Sequence, residues 1–211
     1  MRTADTSATL FLAFVVLIFG STTAFAQEVP RWEVGPTISL HKFNADDSNS
    51  YFGIGGRGVL NFSRIFGAEV QYAHTSRSSQ YDDTSTFFES DDQLTANLKT
   101  TWRPQSVRWI NPFGLSGMGV TRYSFHLDSS TPYSFALPPH ESWFALRLGG
   151  GAEIVPHPQI AIRLEVSNLM TYIPAQFAPC NHCDVPAYWS HRWDASVSLM
   201  VRLGTIRKSV K

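Results

Sequence analysis

The sequence predicts an all-β fold, an eight-stranded antiparallel up-and-down transmembrane β-barrel. Three observations carry that reading: apolar and polar residues alternate with a period of two, charge is scarce, and the connections between the alternating stretches are short and long by turns. The clearest alternation is Trp193-Asp-Ala-Ser-Val-Ser-Leu-Met-Val-Arg-Leu-Gly204, in which Trp193, Ala195, Val197, Leu199, Val201 and Leu203 are apolar and their neighbours mostly polar or small. A period of two belongs to a strand whose faces meet different surroundings. Only 16% of the 211 residues are charged, against about 25% in ordinary soluble proteins. A soluble barrel needs a charged exterior, so the apolar positions are expected to face lipid and the polar ones a narrow lumen.

The first strand spans about Trp32 to His41, with Trp32, Val34, Ile38 and Leu40 outward and Glu33, Gly35, Thr37 and Ser39 inward. Pro36 requires a bulge or a strand end there. A polar loop, Phe43 to Ser50, follows. Tyr51 to Phe62 and Phe66 to His74 form a hairpin about Ser63-Arg-Ile65, with Arg57, Asn61, Glu69 and Gln71 inward. The Ser/Thr/Asp-rich stretch Thr75 to Gln93 is expected to be a long loop. The fourth strand, Leu94 to Arg103, turns through Pro104-Gln-Ser into the fifth, Trp109 to Phe125. A third long loop spans Leu127 to Glu141. Trp143 to Ile154 and Ile160 to Met170 pair across Val155-Pro-His-Pro-Gln159. The loop Thr171 to Arg192 then leads into the eighth strand. Strands of about 9 to 11 residues suffice to cross a membrane at a tilt.

Short turns at one end and long loops at the other are the habit of outer-membrane barrels, whose termini lie on the short-turn, periplasmic side. Aromatic residues cluster at both ends. Trp32, Phe62, Phe66, Trp102, Trp109 and Phe113 are expected in a periplasmic girdle, and Tyr51, Phe52, Tyr72, Tyr123, Phe125, Trp143, Tyr172 and Trp193 in an outer one.

At the N-terminus, Leu10 to Phe19 is an unbroken apolar run behind Arg2, followed by the small-x-small site Ala24-Phe-Ala26. That order is a secretory signal peptide, and the run falls short of the roughly 20 residues of a spanning helix. The expected organisation is a signal peptide over residues 1–26 and one barrel domain over 27–211.

The run from Tyr51 to Tyr72 with its many glycines, Asn111-Pro-Phe-Gly-Leu-Ser-Gly-Met-Gly-Val120, and Leu148-Gly-Gly-Gly-Ala-Glu-Ile154 followed by Ile160 to Ser167 resemble strand patterns of the OmpA-like outer-membrane β-barrel family. The likeness covers essentially all of the exported chain. It implies an integral protein of the outer membrane of a Gram-negative-type bacterium. Barrels of this kind usually end on an aromatic residue, whereas this chain continues through Thr205-Ile-Arg-Lys-Ser-Val-Lys211.

The alternation sends Glu33, Arg57, Glu69, Lys99, Arg122, Arg147, Glu153, Arg163, Glu165, Asp194 and Arg202 to the polar face. An eight-stranded barrel is only about wide enough inside for its own side chains. Charges confined there must pair, so a lumen plugged by an ion-pair network is expected, with Arg147, Arg163 and Arg202 engaging Glu153, Glu165, Asp194 and Glu33. The competing reading is a narrow pore for small solutes.

Charges outside the barrel segregate by sign. Asp46, Asp47, Asp82, Asp83, Glu89, Asp91, Asp92, Asp128, Glu141 and Asp184 fall in the long loops and their edges against Lys42, Arg77 and Arg192, while Arg31, Arg64, Arg103, Arg108, Arg207, Lys208 and Lys211 mark the other end against Glu28. Four acidic extracellular loops suit contact with lipopolysaccharide phosphates bridged by divalent cations, and they disfavour nucleic acid. A monomer is expected, with no cofactor.

His74-Thr-Ser76 and His140-Glu-Ser142 place a base near a hydroxyl, as a lipid-A-modifying barrel enzyme would need, but such spacing in loops is a common accident and no enzyme is expected. Cys180-Asn-His-Cys183 with scattered histidines allows a transition-metal site. For an exported pair, a Cys180–Cys183 disulfide is the stronger expectation, and no metal site is expected.

Overall fold

The computed structural model describes residues 29–43, 50–82, 85–104, 109–127, 140–174 and 187–206. The expected signal peptide and the Cys180–Cys183 pair lie outside them. Eight strands follow in chain order: β1 (Pro30–Phe43), β2 (Tyr51–Asn61), β3 (Phe66–Asp82), β4 (Ser85–Thr101), β5 (Ile110–Leu127), β6 (His140–His157), β7 (Ile160–Ile173) and β8 (Tyr188–Thr205). Each is antiparallel to the next, and β8 returns to β1 from Pro30↔Thr205 to Phe43↔Arg192, closing the barrel. Closure satisfies the backbone groups that an open edge would expose to hydrocarbon.

The two faces separate as the alternation requires. Along β8, Trp193, Ala195, Val197, Leu199, Val201 and Leu203 are exposed, while Arg192, Asp194, Ser196, Ser198, Met200 and Arg202 are buried. Large apolar side chains cover the exterior, with Leu199 at 52% and Val166 at 55% exposure. The interior holds mostly charged and hydroxyl groups, with a small apolar cluster of Val59, Ala161 and Met200 and a few further buried apolar residues, Phe113, Leu115 and Leu169 among them. This inverts a soluble protein, which buries the residues found here outside. Leu199 would be costly in water and is at home in lipid.

The strands outrun their sequence limits at the long-connection end. The stretch Thr75 to Gln93 is no loop, because β3 and β4 stay paired out to Asp82↔Ser85. Likewise His140 to Ser142, Thr171 to Ile173 and Tyr188 to Arg192 belong to strands. At this end the inner face is polar, with Thr75, Asp91 and Gln93 buried, and Ser76, Ser90 and Asp92 stand on the other face, so apolar alternation fades even though backbone pairing continues. Pro36 sits in mid-strand opposite Gly56. The β1–β8 register is the same on either side of it, Val34↔Val201 and Thr37↔Ser198, so no bulge was needed. A missing donor costs one rung of the ladder and leaves the pairing in step.

At the other end the β2–β3 and β6–β7 connections are tight turns. In Phe62 to Phe66, the Ser63 hydroxyl accepts the Ile65 and Phe66 N–H groups at 3.2 and 2.8 Å. Between β6 and β7, a bulge lies between Ile154 and His157. Inward-facing glycines make room for the lumen's side chains. A Cβ on Gly117 would stand 2.7 Å from Asn97 Cα, so this close approach of β4 and β5 requires glycine.

Two aromatic expectations need correction. Phe113 is buried in the lumen and takes no part in the periplasmic girdle, where Trp32, Phe62, Phe66, Trp102 and Trp109 are exposed. At the outer end, Tyr51, Tyr123 and Trp143 lie on the inward-facing register, with the Tyr123 and Trp143 rings 4.8 Å apart. Phe52, Tyr72, Tyr172 and Trp193 remain outside, and Tyr172 packs on Trp189 at 5.4 Å.

Candidate functional site

The lumen is where the chain concentrates its chemistry, in a central and an outer layer with a smaller cluster towards the periplasmic end. The central layer is organised on Glu165 of β7, whose carboxylate meets three arginines. Arg57 Nη1 from β2 donates to Oε2 at 2.5 Å, Arg147 Nη2 from β6 to Oε1 at 2.6 Å, and Arg163 Nη2 from its own strand to Oε2 at 3.0 Å. Arg163 Nη1 reaches Glu69 of β3 at 2.5 Å, and Arg57 Nη1 lies 3.9 Å from the same carboxylate. These ionic side chains are wholly buried. Remaining donors find neutral partners: Arg147 reaches Gln71 at 2.6 Å and Ser167 at 2.9 Å, and Arg57 reaches Thr37 at 3.1 Å and Ser196 at 3.2 Å.

Towards the periplasmic end Lys99 bonds Glu153 and stands 3.5 Å from Glu33, which also accepts from Asn61 Nδ2 at 2.6 Å. Phe113 forms a wall between the two parts, with the Arg163 guanidinium carbon 4.0 Å and Lys99 Nζ 5.9 Å from its ring centre. Planar guanidinium on an aromatic face is a favourable contact where water is excluded. That contact accounts for an aromatic ring among charges.

The outer layer is built on Arg192 of β8. It bonds Asp91 and Gln93 of β4 and lies 3.0 Å from Asp194. Asp194 also receives His41 Nδ1 at 2.5 Å, and His41 Nε2 stands 2.7 Å from Ser39 Oγ.

Two of these ion pairs cross the whole barrel. In a ring of eight, β3 and β7 stand opposite one another, as do β4 and β8. Arg163 to Glu69 and Arg192 to Asp91 therefore join facing walls at two heights.

Of the charges the sequence sends inward, Glu33, Arg57, Glu69, Lys99, Arg147, Glu153, Arg163, Glu165, Asp194 and Arg202 are buried. Arg122 is not among them: it is exposed on the outer face of β5. The pairings follow expectation in part. Arg147 and Arg163 share Glu165 as expected, whereas Glu153 pairs with Lys99 and Asp194 with Arg192. Arg202 lies across from Glu33 in the ladder and donates to Pro158 O at 3.3 Å.

Sequence reasoning placed Arg192 and Asp91 in loops and left His41 unused, yet all three line the lumen. Their signal was available, since each continues the inward parity of its strand one or two steps further out.

On the outer surface His74 Nδ1 and the Tyr72 hydroxyl both engage Asp92, at 2.8 and 2.6 Å. His140 Nδ1 lies 3.0 Å from Ser124 Oγ. Neither histidine bonds the serine two residues after it. Among the described residues no group of three or more His, Cys, Asp or Glu is arranged to hold a metal ion.

A closed antiparallel barrel, lipid-facing outside and ionic inside, defines a membrane β-barrel. The sequence matches the outer membrane protein beta-barrel domain family over residues 12–199, and the chain belongs to that family. It is an integral protein of the outer membrane of a Gram-negative cell. Among solved structures it is similar to Neisserial surface protein A, at 12% identity over 82% of this chain and 97% of that one, with a TM-score of 0.57. It is also similar to OprG from Pseudomonas aeruginosa, at 12% identity over 85% and 98% with a TM-score of 0.49. A third likeness is to Ail, the attachment invasion locus protein of Yersinia pestis, in complex with the heparin analogue sucrose octasulfate, at 16% identity over 80% and 95% with a TM-score of 0.47. At such an identity the likeness to Neisserial surface protein A speaks for the fold alone. No curated protein matches the sequence.

Proposed function

We propose that this barrel is a plugged, non-conducting and non-enzymatic outer-membrane protein that acts through its extracellular surface. The observation that carries the proposal is the pair of ionic links between facing walls, Arg163–Glu69 and Arg192–Asp91. A solute path would have to part both layers and strand buried charges, at about 3 to 5 kcal/mol for each broken pair. With the lumen occupied, the parts left to act are the loops and the outer wall. Acids in the long loops, Asp46, Asp47, Asp128 and Asp184 among them, are read as sites for divalent cations that bridge to lipopolysaccharide phosphates. Cleavage after Ala26 and a Cys180–Cys183 bond in the last loop complete the proposal.

Planar-bilayer recording tests the plug. The wild-type barrel is expected to be silent and Arg163→Ala to open measurable conductance. Steady single-channel steps from the wild type would favour the small-solute pore instead.

A further inference from the structure

Outside the lumen, one patch combines ionic side chains with an apolar hollow on the membrane side of the wall. The pairing Ile54↔His74↔Asp92↔Arg122↔Ser142 runs across β2 to β6 as a single row, and Ser124↔His140 lies one step further out. His74 and Asp92 are each more than a third exposed, and Arg122 and His140 are exposed. Asp92 is engaged by Tyr72 and His74 through its Oδ1. The next row inward is Pro36↔Gly56↔Tyr72↔Leu94↔Val120↔Phe144, apolar apart from the Tyr72 hydroxyl. There the missing side chains of Gly56 and Gly58 leave a groove of about 640 Å³ walled by Val34, Pro36, Val70 and Tyr72. A Cβ on Gly58 would meet nothing within 4 Å, so local packing does not require glycine there.

We propose that this patch binds the phosphorylated lipid anchor of lipopolysaccharide directly, with phosphate on Arg122, His74 and His140 and an acyl chain in the Gly56–Gly58 groove. The polar row lies at the long-connection end, and so at the outer surface of the membrane; the groove runs from Tyr72 down the wall to Val34, Gly58 and Val70, in the direction an acyl chain takes from a headgroup at that row. Guanidinium and imidazolium donors make charge-assisted bonds to phosphate oxygens. The row spans β3 to β6, three inter-strand steps or about 14 Å, a width suited to a head carrying more than one phosphate rather than a single glycerophosphate. Tyr72 joins the two halves, its ring lining the groove and its hydroxyl held in the polar row. The site deepens the lipopolysaccharide contact proposed above but needs no bridging cation.

The test is titration of the full-length refolded barrel with purified lipopolysaccharide by native mass spectrometry, with and without excess EDTA. Heat-modifiable gel mobility confirms that each variant is folded. Binding should persist in EDTA. It should weaken about tenfold in Arg122→Gln combined with His74→Gln, and by a similar factor in the groove-filling Gly58→Leu. Enzymatically dephosphorylated lipopolysaccharide should bind the wild type no better than intact lipopolysaccharide binds the double variant. Unchanged affinity in both variants would overturn the site. Loss of binding in EDTA would overturn direct recognition while leaving the cation-bridged loops standing. Absence of lipopolysaccharide binding under every condition would overturn both readings. Equal affinity for phosphatidylglycerol would overturn the assignment to lipopolysaccharide.

Discussion

The two faces of this sheet are held by different kinds of force, and they read differently from the chain. The outer face is a field of Leu, Val, Ile and aromatic side chains whose neighbours are interchangeable, because lipid asks only that they be apolar and near the right depth. The inner face is a set of named partners. Arg163 serves Glu69 and Glu165 and stacks on Phe113, and no other residue occupies that meeting point. Lipid contact is tolerant and distributed, whereas the lumen is specific and concentrated. Most single changes outside should therefore be absorbed, and a few inside should not.

The largest expected effect is on the inner face. Arg163→Ala removes the link between facing walls and leaves Glu69 with Arg57 at 3.9 Å as its nearest ionic partner. Denaturant unfolding from lipid vesicles, followed by tryptophan fluorescence, should show a loss of about 3 to 5 kcal/mol. Arg192→Ala, in the outer layer where His41 still holds Asp194, should cost about 1.5 to 3 kcal/mol. Equal losses would mean that the two layers carry the barrel alike.

The outer face should respond to depth instead of identity. Leu199→Arg, in the middle of the belt, is expected to cost about 2 to 4 kcal/mol in the same assay, and Leu203→Arg, near the periplasmic edge, about 0 to 1 kcal/mol. A flat response along β8 would contradict a membrane lying across these positions.

A smaller contrast sets an inward glycine against an outward one. Gly117→Val drives its Cβ into the β4 backbone at Asn97 and should cost about 1 to 3 kcal/mol. Gly58→Val points into open space and should stay within about 0.5 kcal/mol. Equal costs in vesicle unfolding would show that the groove beside Gly58 is more tightly filled by lipid than its geometry indicates.

Where the alternation is strong, as in β1, β7 and β8, faces and strand cores were legible residue by residue. β5 shows how it fails. Phe113 and Leu115 look like lipid-facing residues and put Arg122 on the inner parity, yet the ladder pairs Leu115 with Lys99, and paired residues share a face. Phe113 and Leu115 are accordingly buried and Arg122 is exposed. The long polar ends of β3 and β4 were missed for a related reason. With polar residues on both faces, no apolar periodicity marks these strand ends, and only the backbone pairing reveals them.

By itself the sequence determined the strand count and, on every strand but β5, the inward parity of the charges it placed within strands, because each of these is written in local spacing along the chain; it misread the β3–β4 connection as long. Only the closed barrel decided which charges meet. Glu69 and Arg163 are 94 residues apart in sequence, and closure sets β3 across from β7 at the height where the inter-strand registers place them.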